Sequence, residues 1–316
     1  MKLWRVFSLT MLLIFMLLPC TYAVTPNISV LTLDEIPPTP KGIHHYLLVC
    51  VDQWIPEKCW KGNTDGMVLV TVDEVSGRII VTSFVRDTLV LQPNGEKSKL
   101  TEVFKSFGID GLLETINRHF GLRIEKYILM NWTQVVRIVD ILGGVDLQVT
   151  GSEASFLKHY PISPTSTTPA MNRAGTYHFN GRAAMIYMRC RSATALNGDR
   201  WDYGRTYRAR LVLYNIADSL KDISQDRAYE LFREIFDSLG DPSIFFHTNV
   251  SMADLLDAFQ MAFALKGTPV ERFRVPIDGT HETYFLGISC TQLADCEVNR
   301  AALHDFLFDQ SYVVIE

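Results

Sequence analysis

The sequence lacks a charge excess that would name a partner. Its 316 residues hold 30 Lys and Arg against 35 Asp and Glu, a formal net charge of −5. General nucleic-acid affinity usually rests on a basic excess, so the acidic balance speaks against a DNA-binding regulator. There is no CxxC and no Cys/His spacing of the zinc-site kind. No internal repeat is present, which removes solenoids and propellers. Nor is the chain poor in apolar residues: 47% are apolar and 21% charged, a balance that argues against disorder. Any anionic ligand must therefore meet a local cluster of cations rather than the field of the whole molecule.

The N-terminus carries Lys2 and Arg5, then an apolar run from Val6 to Pro19 broken by Ser8 and Thr10, then Thr21-Tyr22-Ala23. A basic start, a short apolar stretch and small residues at the exit read as a secretory signal over residues 1–23. The run is shorter than the roughly 20 residues of a spanning helix. Cleavage after Ala23 and retention as a signal anchor are both open, and both place the remainder outside the cytoplasm. Pro19 before Cys20 fits a lipidation site poorly. Residues 24–40, with Pro26, Pro37, Pro38 and Pro40, read as a linker. Five later cysteines, Cys50, Cys59, Cys190, Cys290 and Cys296, are permitted disulfides in an exported chain. Cys290 with Cys296 and Cys50 with Cys59 are the candidate pairs; buried free thiols are the alternative.

From residue 41 to 316 strands and helices interleave. His45–Asp52, Met67–Asp73 and Arg78–Phe84 are runs suited to strands covered on both faces. Leu100–Phe107 and Asp110–Phe120 read as helices, Tyr127–Met130 as a strand, Trp132–Leu142 as a helix and Val145–Val149 as an edge strand. Pro161–Pro169 is irregular. Gly181–Ala184 reads as a short helical turn and Met185–Arg191 as a strand whose end carries two arginines. Helices are predicted over Tyr207–Leu220, Asp226–Leu239, Met252–Leu265 and Asn299–Phe308, with late strands at Phe273–Pro276 and Thr283–Leu286. The expected fold is one α/β domain, a central mixed β-sheet between helical layers.

Binding sites of open α/β sheets form beyond strand ends, and charged residues crowd there. Asp52 ends the first strand, Asp65 precedes the second, and Arg86 and Asp87 follow the third. Arg189 and Arg191 end the strand at Met185 and, two apart, project to one face. Asp199, Asp202, Arg205 and Arg208 stand at the entry to the next helix. Guanidinium forks match phosphate oxygens, and carboxylates without nearby nitrogen or sulfur ligands suit magnesium or manganese. Individually each has a plain structural reading: Asp52 as a cap, Asp65 as turn chemistry, Arg86 and Asp87 as an ion pair, Arg189 and Arg191 as a solvated edge, Asp202 as an N-cap. Together they point to a phosphate site.

The segments LLVCVD (47–52), NTDGMVLVTVD (63–73), TSFVRDTLV (82–90), KSKLTEVF (97–104), ILGGVDLQV (141–149), FNGRAAMIYMRCR (179–191) and DYGRTYRARLVL (202–213) occur in this order. The chain resembles the LytR-CpsA-Psr family of cell-wall proteins from about His45 to Leu220, with TNVSMADLL (248–256) similar to the C-terminal helical portion (221–316) that follows. The resemblance implies a hydrophobic tunnel for a polyprenyl tail beside the sheet. It implies transfer of a glycopolymer, teichoic acid or capsule-like, from a polyprenyl-pyrophosphate carrier to a sugar hydroxyl of peptidoglycan at the membrane surface, with pyrophosphatase as a side activity. By matching motif, Asp52 and Asp65 would hold Mg2+ or Mn2+; Arg86, Arg189, Arg191 and Arg205 would grip the pyrophosphate, with Arg208 and Asp202 in support. Asp65 or Asp87 would take the incoming hydroxyl's proton. Three departures stand out: Asn63 where the family has Arg, Ala209 where it has Gln, and Cys50 where it has Gly. Loss of a polar contact at Ala209 would weaken phosphate binding by about 1 kcal/mol, which motivates an alternative role as a non-catalytic polyprenyl-pyrophosphate-binding assembly factor.

Overall fold

The structure is a computed structural model that describes residues 28–158, 173–221, 223–239, 241–264 and 267–308. The expected signal segment and the irregular stretch at 161–169 lie outside the described residues. Residues 28–40 run along the domain rather than away from it. Ile28 and Ile36 are buried, Arg118 Nε donates to the Leu31 carbonyl at 3.0 Å, and Arg123 Nη2 to that of Ile36 at 2.7 Å.

The chain begins with β1 (Ile43–Val51), a short helix α1 (Pro56–Cys59) and the hairpin β2 (Thr64–Asp73) and β3 (Arg78–Phe84). A small pair, β4 (Leu89–Leu91) and β5 (Lys97–Lys99), leads into α2 (Leu100–Phe120). The two helices predicted here are one element broken at Gly108, whose φ of 68° and ψ of −166° no helical residue adopts. β6 (Lys126–Asn131), α3 (Trp132–Ile141), β7 (Val145–Val149), α4 (Gly151–Leu157) and β8 (Gly175–Phe179) follow. Next come α5 (Gly181–Arg189), α6 (Trp201–Lys221), α7 (Gln225–Ser238), β9 (Phe246–Thr248) and α8 (Met252–Ala264). The described chain ends with β10 (Val270–Val275), the hairpin β11 (His281–Leu286) and β12 (Ser289–Ala294), and α9 (Cys296–Phe308).

Six strands form the central sheet in the order β10-β3-β2-β1-β6-β9. β1 pairs antiparallel with β2 and parallel with β6, so the sheet is mixed, as expected. Period-two alternation in β1 divides the core. Leu47, Val49 and Val51 pack with Phe104, Leu112 and Ile116 of α2 and Leu303 and Phe306 of α9. Cys50 packs on the opposite face with Met130, Val135, Ala184, Tyr187 and Val212. Helical layers thus cover both faces.

The strand predicted at Met185–Arg191 is a helix. Asn180 caps it, its side chain accepting from the Ala183 amide at 2.9 Å, while Asp140 Oδ1 accepts from the Gly181 amide at 2.7 Å. Ala183, Ala184, Tyr187 and Met188 are all buried, and their spacing is that of one helical face. A Cβ on Gly181 would stand 2.1 Å from the Val136 carbonyl oxygen, so only glycine lets α5 approach α3 this closely. Arg189 and Arg191 therefore do not share a strand face: the first ends the helix, the second lies on the loop beyond it. Neither candidate disulfide is formed, since Cys50, Cys59, Cys190, Cys290 and Cys296 are all free. Cys59 Sγ instead donates to the Ile55 carbonyl at 3.4 Å.

Candidate active site

Topology gathers the charged residues at one end of the sheet. Val51 of β1 is in register with Asn131 of β6 and with Thr64 of β2, so Asp52, Asp65 and Trp132 come together there, and β3 runs back to the same end to deliver Arg86. Asp52 Oδ1 accepts from the Trp132 indole N–H at 2.9 Å and from Arg189 Nη1. Asp65 Oδ1 accepts from Arg86 Nη1. Arg205 joins the two halves: its Nη1 lies 3.4 Å from Asp65 Oδ2 and 4.0 Å from Asp52 Oδ2, with the side chain only 6% exposed. Asp87 lies one step outward, 3.6 Å from Arg86 Nε and 2.9 Å from Lys99 Nζ.

These contacts are electrostatically consistent. Burial would raise the Asp52 carboxyl, but the Trp132 indole and then the Arg189 and Arg205 guanidiniums outweigh it and hold the group below the usual carboxylate range. Asp52 is thus an anion at neutral pH, as a ligand to a cation must be.

Of the residues singled out in the sequence, Asp52, Asp65, Arg86, Asp87, Arg189 and Arg205 form this connected cluster. Arg191 is exposed on the adjoining loop, its carbonyl accepting from the Trp201 amide at 3.0 Å. Asp202 lies in the first turn of α6, with its side chain outside what the structure describes. Arg208, expected in support of the phosphate, turns away. It is fully buried, with Nε on Glu153 Oε1 at 2.6 Å, Nη1 on the Cys190 carbonyl at 2.7 Å and Nη2 on that of Ala193 at 2.5 Å. Every nitrogen of that fork has a protein acceptor, which corrects its assignment as a phosphate contact.

Sequence reasoning missed Trp132, Lys99 and Glu153. Lys99 lies within a motif already marked (KSKLTEVF). Glu153 carries a capping-box signal with Thr150, realised as Glu153 N to Thr150 Oγ1 at 3.1 Å and Thr150 N to Glu153 Oε2 at 2.8 Å. Nothing local in the sequence marks Trp132 as a donor to Asp52.

Behind the cluster, between the sheet and helices α3 and α6, is an apolar cavity of about 70 Å³ lined by Leu48, Val68, Met130, Ile138, Leu213 and Ile216, with Cys50 and Gly66 at its wall. An open tunnel is not what stands there: the space is far smaller than a polyprenyl tail.

The donor set fits a hard divalent cation in part. Asp52 and Asp65 supply oxygen ligands only, the chemistry of a cation that completes its shell with water and phosphate, but both carboxylates are already paired, Asp52 with Arg189 and Arg205 and Asp65 with Arg86 and Arg205. Among the described residues there is no group of three or more His, Cys, Asp or Glu able to hold a metal by itself.

Comparison with known proteins is consistent with this geometry. Residues 34–301 match the LytR_cpsA_psr family. Biofilm regulatory protein A of Streptococcus mutans is 30% identical over 206 residues, 61% of this chain and 47% of that protein. The polyisoprenyl-teichoic acid–peptidoglycan teichoic acid transferase TagV of Bacillus subtilis is 25% identical over 171 residues, 52% of this chain and 40% of that protein. The chain spans less than half the length of these two relatives. Among solved structures, TagT bound to LIIa-WTA superposes with a TM-score of 0.65 at 20% identity, covering 88% of this chain and 96% of that one. The crystal structure of B. subtilis TagV gives 0.60 at 21% identity, over 85% and 98%. These two share the fold.

Proposed function

Because the chain belongs to the LytR_cpsA_psr family, we propose that it is an extracytoplasmic glycopolymer transferase. It breaks the pyrophosphate bond of a polyprenyl-pyrophosphate carrier, joins the glycopolymer through its phosphate to a sugar hydroxyl of peptidoglycan, and releases the polyprenyl chain as its monophosphate. The observation that carries this reading is the meeting of Arg86, Arg189 and Arg205, from three separate stretches of chain, around Asp52 and Asp65. Relatives named as teichoic acid transferases support the transferase class.

In this reading the guanidiniums bind and orient the pyrophosphate. Phosphoryl transfer needs mostly positioning and charge neutralisation, and three guanidiniums gathered at Asp52 and Asp65 would supply both. Asp52 and Asp65 would hold Mg2+ or Mn2+, which supplies further neutralisation of the phosphate oxygens when bound. Trp132 keeps Asp52 oriented and ionised. Lys99 fixes Asp87, which in turn holds Arg86 from its Nε side. The hydroxyl proton passes to Asp65 or Asp87, the carboxylates nearest Arg86, and Asn substitutions at each separate them. Arg191, beside the cluster on its loop, is a further phosphate contact. The lipid tail lodges against the apolar wall of Leu48, Val68 and Leu213, and α6 must shift outward for it to enter.

The test is turnover by the full chain supplied with lipid-pyrophosphate glycan, metal and peptidoglycan. Transfer by the wild type and its loss in Arg189→Ala and Arg205→Ala are expected; undiminished transfer by both variants would overturn the reading. Release of phosphate without acceptor would reveal the side pyrophosphatase activity. One observation favours a second reading, a non-catalytic carrier-binding assembly factor: Ala209 packs against the apolar cluster on the Cys50 face of the sheet and offers no polar group. That reading predicts tight, salt-sensitive binding without bond cleavage.

A further inference from the structure

One face of α6 lies along the edge strand β10, and the charges between them do not balance. Tyr214 Oη donates to the Phe273 carbonyl at 3.3 Å and lies 3.5 Å from Ser83 Oγ of β3. Arg272 Cζ stands 4.8 Å from the centroid of the Tyr214 ring, so Arg272 projects on the α6 side of the sheet. Arg274, two residues on, projects to the same side. β10 runs parallel to β3, and both head for the end of the sheet where Arg86 and the start of α6 meet at Asp65. Arg274 therefore faces the part of α6 one turn before Tyr214, which carries Arg210. Tyr207 belongs to the same stripe, with Arg210 Cζ 5.6 Å from the centroid of its ring.

Two of these three arginines have carboxylates of their own. Asp218 holds Arg272 Nη2, and Asp278 holds Arg274 Nη1. Arg210 is left over. Among the described residues it makes no hydrogen bond and no ion pair; its Nη1 is buried without an acceptor, as is Nε of Arg274. Burial, and next the charge of Arg274, pull the Arg210 guanidinium below the usual arginine range. A half-buried cation beside a second one has lost water and gained no acceptor, a cost that a bound anion removes. Paired guanidiniums suit the oxygens of a phosphate group.

Placement narrows the source of that phosphate. Arg274 is in register with Ser83, three residues before Arg86, so it stands roughly 10 Å along the strand from the candidate active site. A chain anchored at Arg86 and bearing further phosphates along its length reaches both places. We propose that Arg210 and Arg274 form a second anion subsite, which holds a backbone phosphodiester of the glycopolymer while its pyrophosphate sits at Arg86, Arg189 and Arg205. The subsite makes the enzyme prefer a polymer with phosphates in its backbone over a neutral glycan. That occupant rests on the transferase reading; the existence of an anion subsite does not.

The experiment follows the arginine Nε–H resonances of the full chain, with the signals of Arg210 and Arg274 identified by Arg210→Met and Arg274→Met. Both signals are expected to shift on titration with a soluble glycerol-phosphate trimer and to stay in place with a neutral oligosaccharide. Arg210→Met removes an unpaired cation, so in phosphate-free buffer its urea midpoint is expected to equal or exceed that of the wild type; a structural role would lower it. On carrier bearing a glycerol-phosphate polymer the variant is expected to raise KM about tenfold with kcat kept, and on carrier bearing a neutral glycan to leave both constants unchanged. Signals that ignore the trimer, or that move with inorganic phosphate but not with the trimer, would overturn the proposal, as would an equal rise in KM on both carriers. Shifts of both signals in a chain that turns over neither carrier would leave the anion subsite intact and refute the transferase reading.

Discussion

Arg208 and Glu153 meet at 2.6 Å with neither side chain exposed. The same guanidinium holds the carbonyls of Cys190 and Ala193, which bracket the loop carrying Arg191. Arg208 thus fixes the shape of the segment after α5 rather than touching a ligand. Arg208→Met would leave a buried carboxylate unpaired and is expected to lower stability by about 3–5 kcal/mol, read from urea unfolding. Adding Glu153→Gln is expected to restore part of the loss. A direct phosphate contact would show the reverse pattern, with the midpoint kept and only ligand affinity lost.

Arg205 offers a sharper test of the chemistry. Its fork lies between two carboxylates from different strands, and lysine keeps the charge but not the fork. Arg205→Lys is expected to keep its melting temperature within a few degrees and to lose about 10²–10³-fold in kcat/KM. Initial rates beside calorimetry check both. A rate within a few-fold of wild type would remove Arg205 from the site.

How much of this was legible in the sequence depended on how local the cause was. The apolar strands β1, β2 and β3, with Asp52, Asp65 and Arg86 at their ends, follow from patterning alone, because strands covered on both faces have nowhere to carry charge except their tips. The segment MIYMRCR was misread because Met, Ile and Tyr suit a buried strand as well as a helix; the deciding cues were upstream, in the Asn180 cap and the small residues 181, 183 and 184. Arg208 was misassigned because its partner, Glu153, is 55 residues away, and three residues from Arg205 place it on a neighbouring part of the helix rather than the same one. β12 and β9 escaped notice because one is largely polar and the other three residues long.

The approach of α5 to α3 makes Gly181 a position of high sensitivity. Alanine there places a methyl 2.1 Å from the Val136 carbonyl oxygen, so α5 must move, and Arg189 at its other end moves with it. Gly181→Ala is expected to cost about 1–3 kcal/mol of stability and to weaken carrier binding as well. Melting temperature and ligand titration should fall together; a variant stable as wild type would show that the helices are not so close.

Trp132 should be visible in a pH profile. Its indole N–H is one of the groups that hold the Asp52 carboxyl low. In Trp132→Phe that carboxyl rises, so Asp52 takes up its proton at a higher pH as the solution is acidified. The acid limb of kcat/KM is therefore expected to move to higher pH, with less than tenfold loss at pH 7. An unshifted acid limb would mean that the limb belongs to another group.

Acid should weaken the fold through two buried imidazoles. His119 donates from Nδ1 to the Thr115 carbonyl at 2.7 Å and accepts the Leu91 amide on Nε2 at 3.0 Å, a pairing that only the neutral ring can make. Burial lowers His119 and His45 to about 4. The unfolded chain protonates first, near pH 6.5, so stability is full above that value and falls as pH drops toward 4. The loss approaches about 3 kcal/mol for each histidine, and His119→Gln is expected to flatten the slope by one proton. Urea midpoints between pH 7 and 4.5 measure it. A flat curve would require the rings to take up protons inside the fold, with His119 giving up the Leu91 amide to do so.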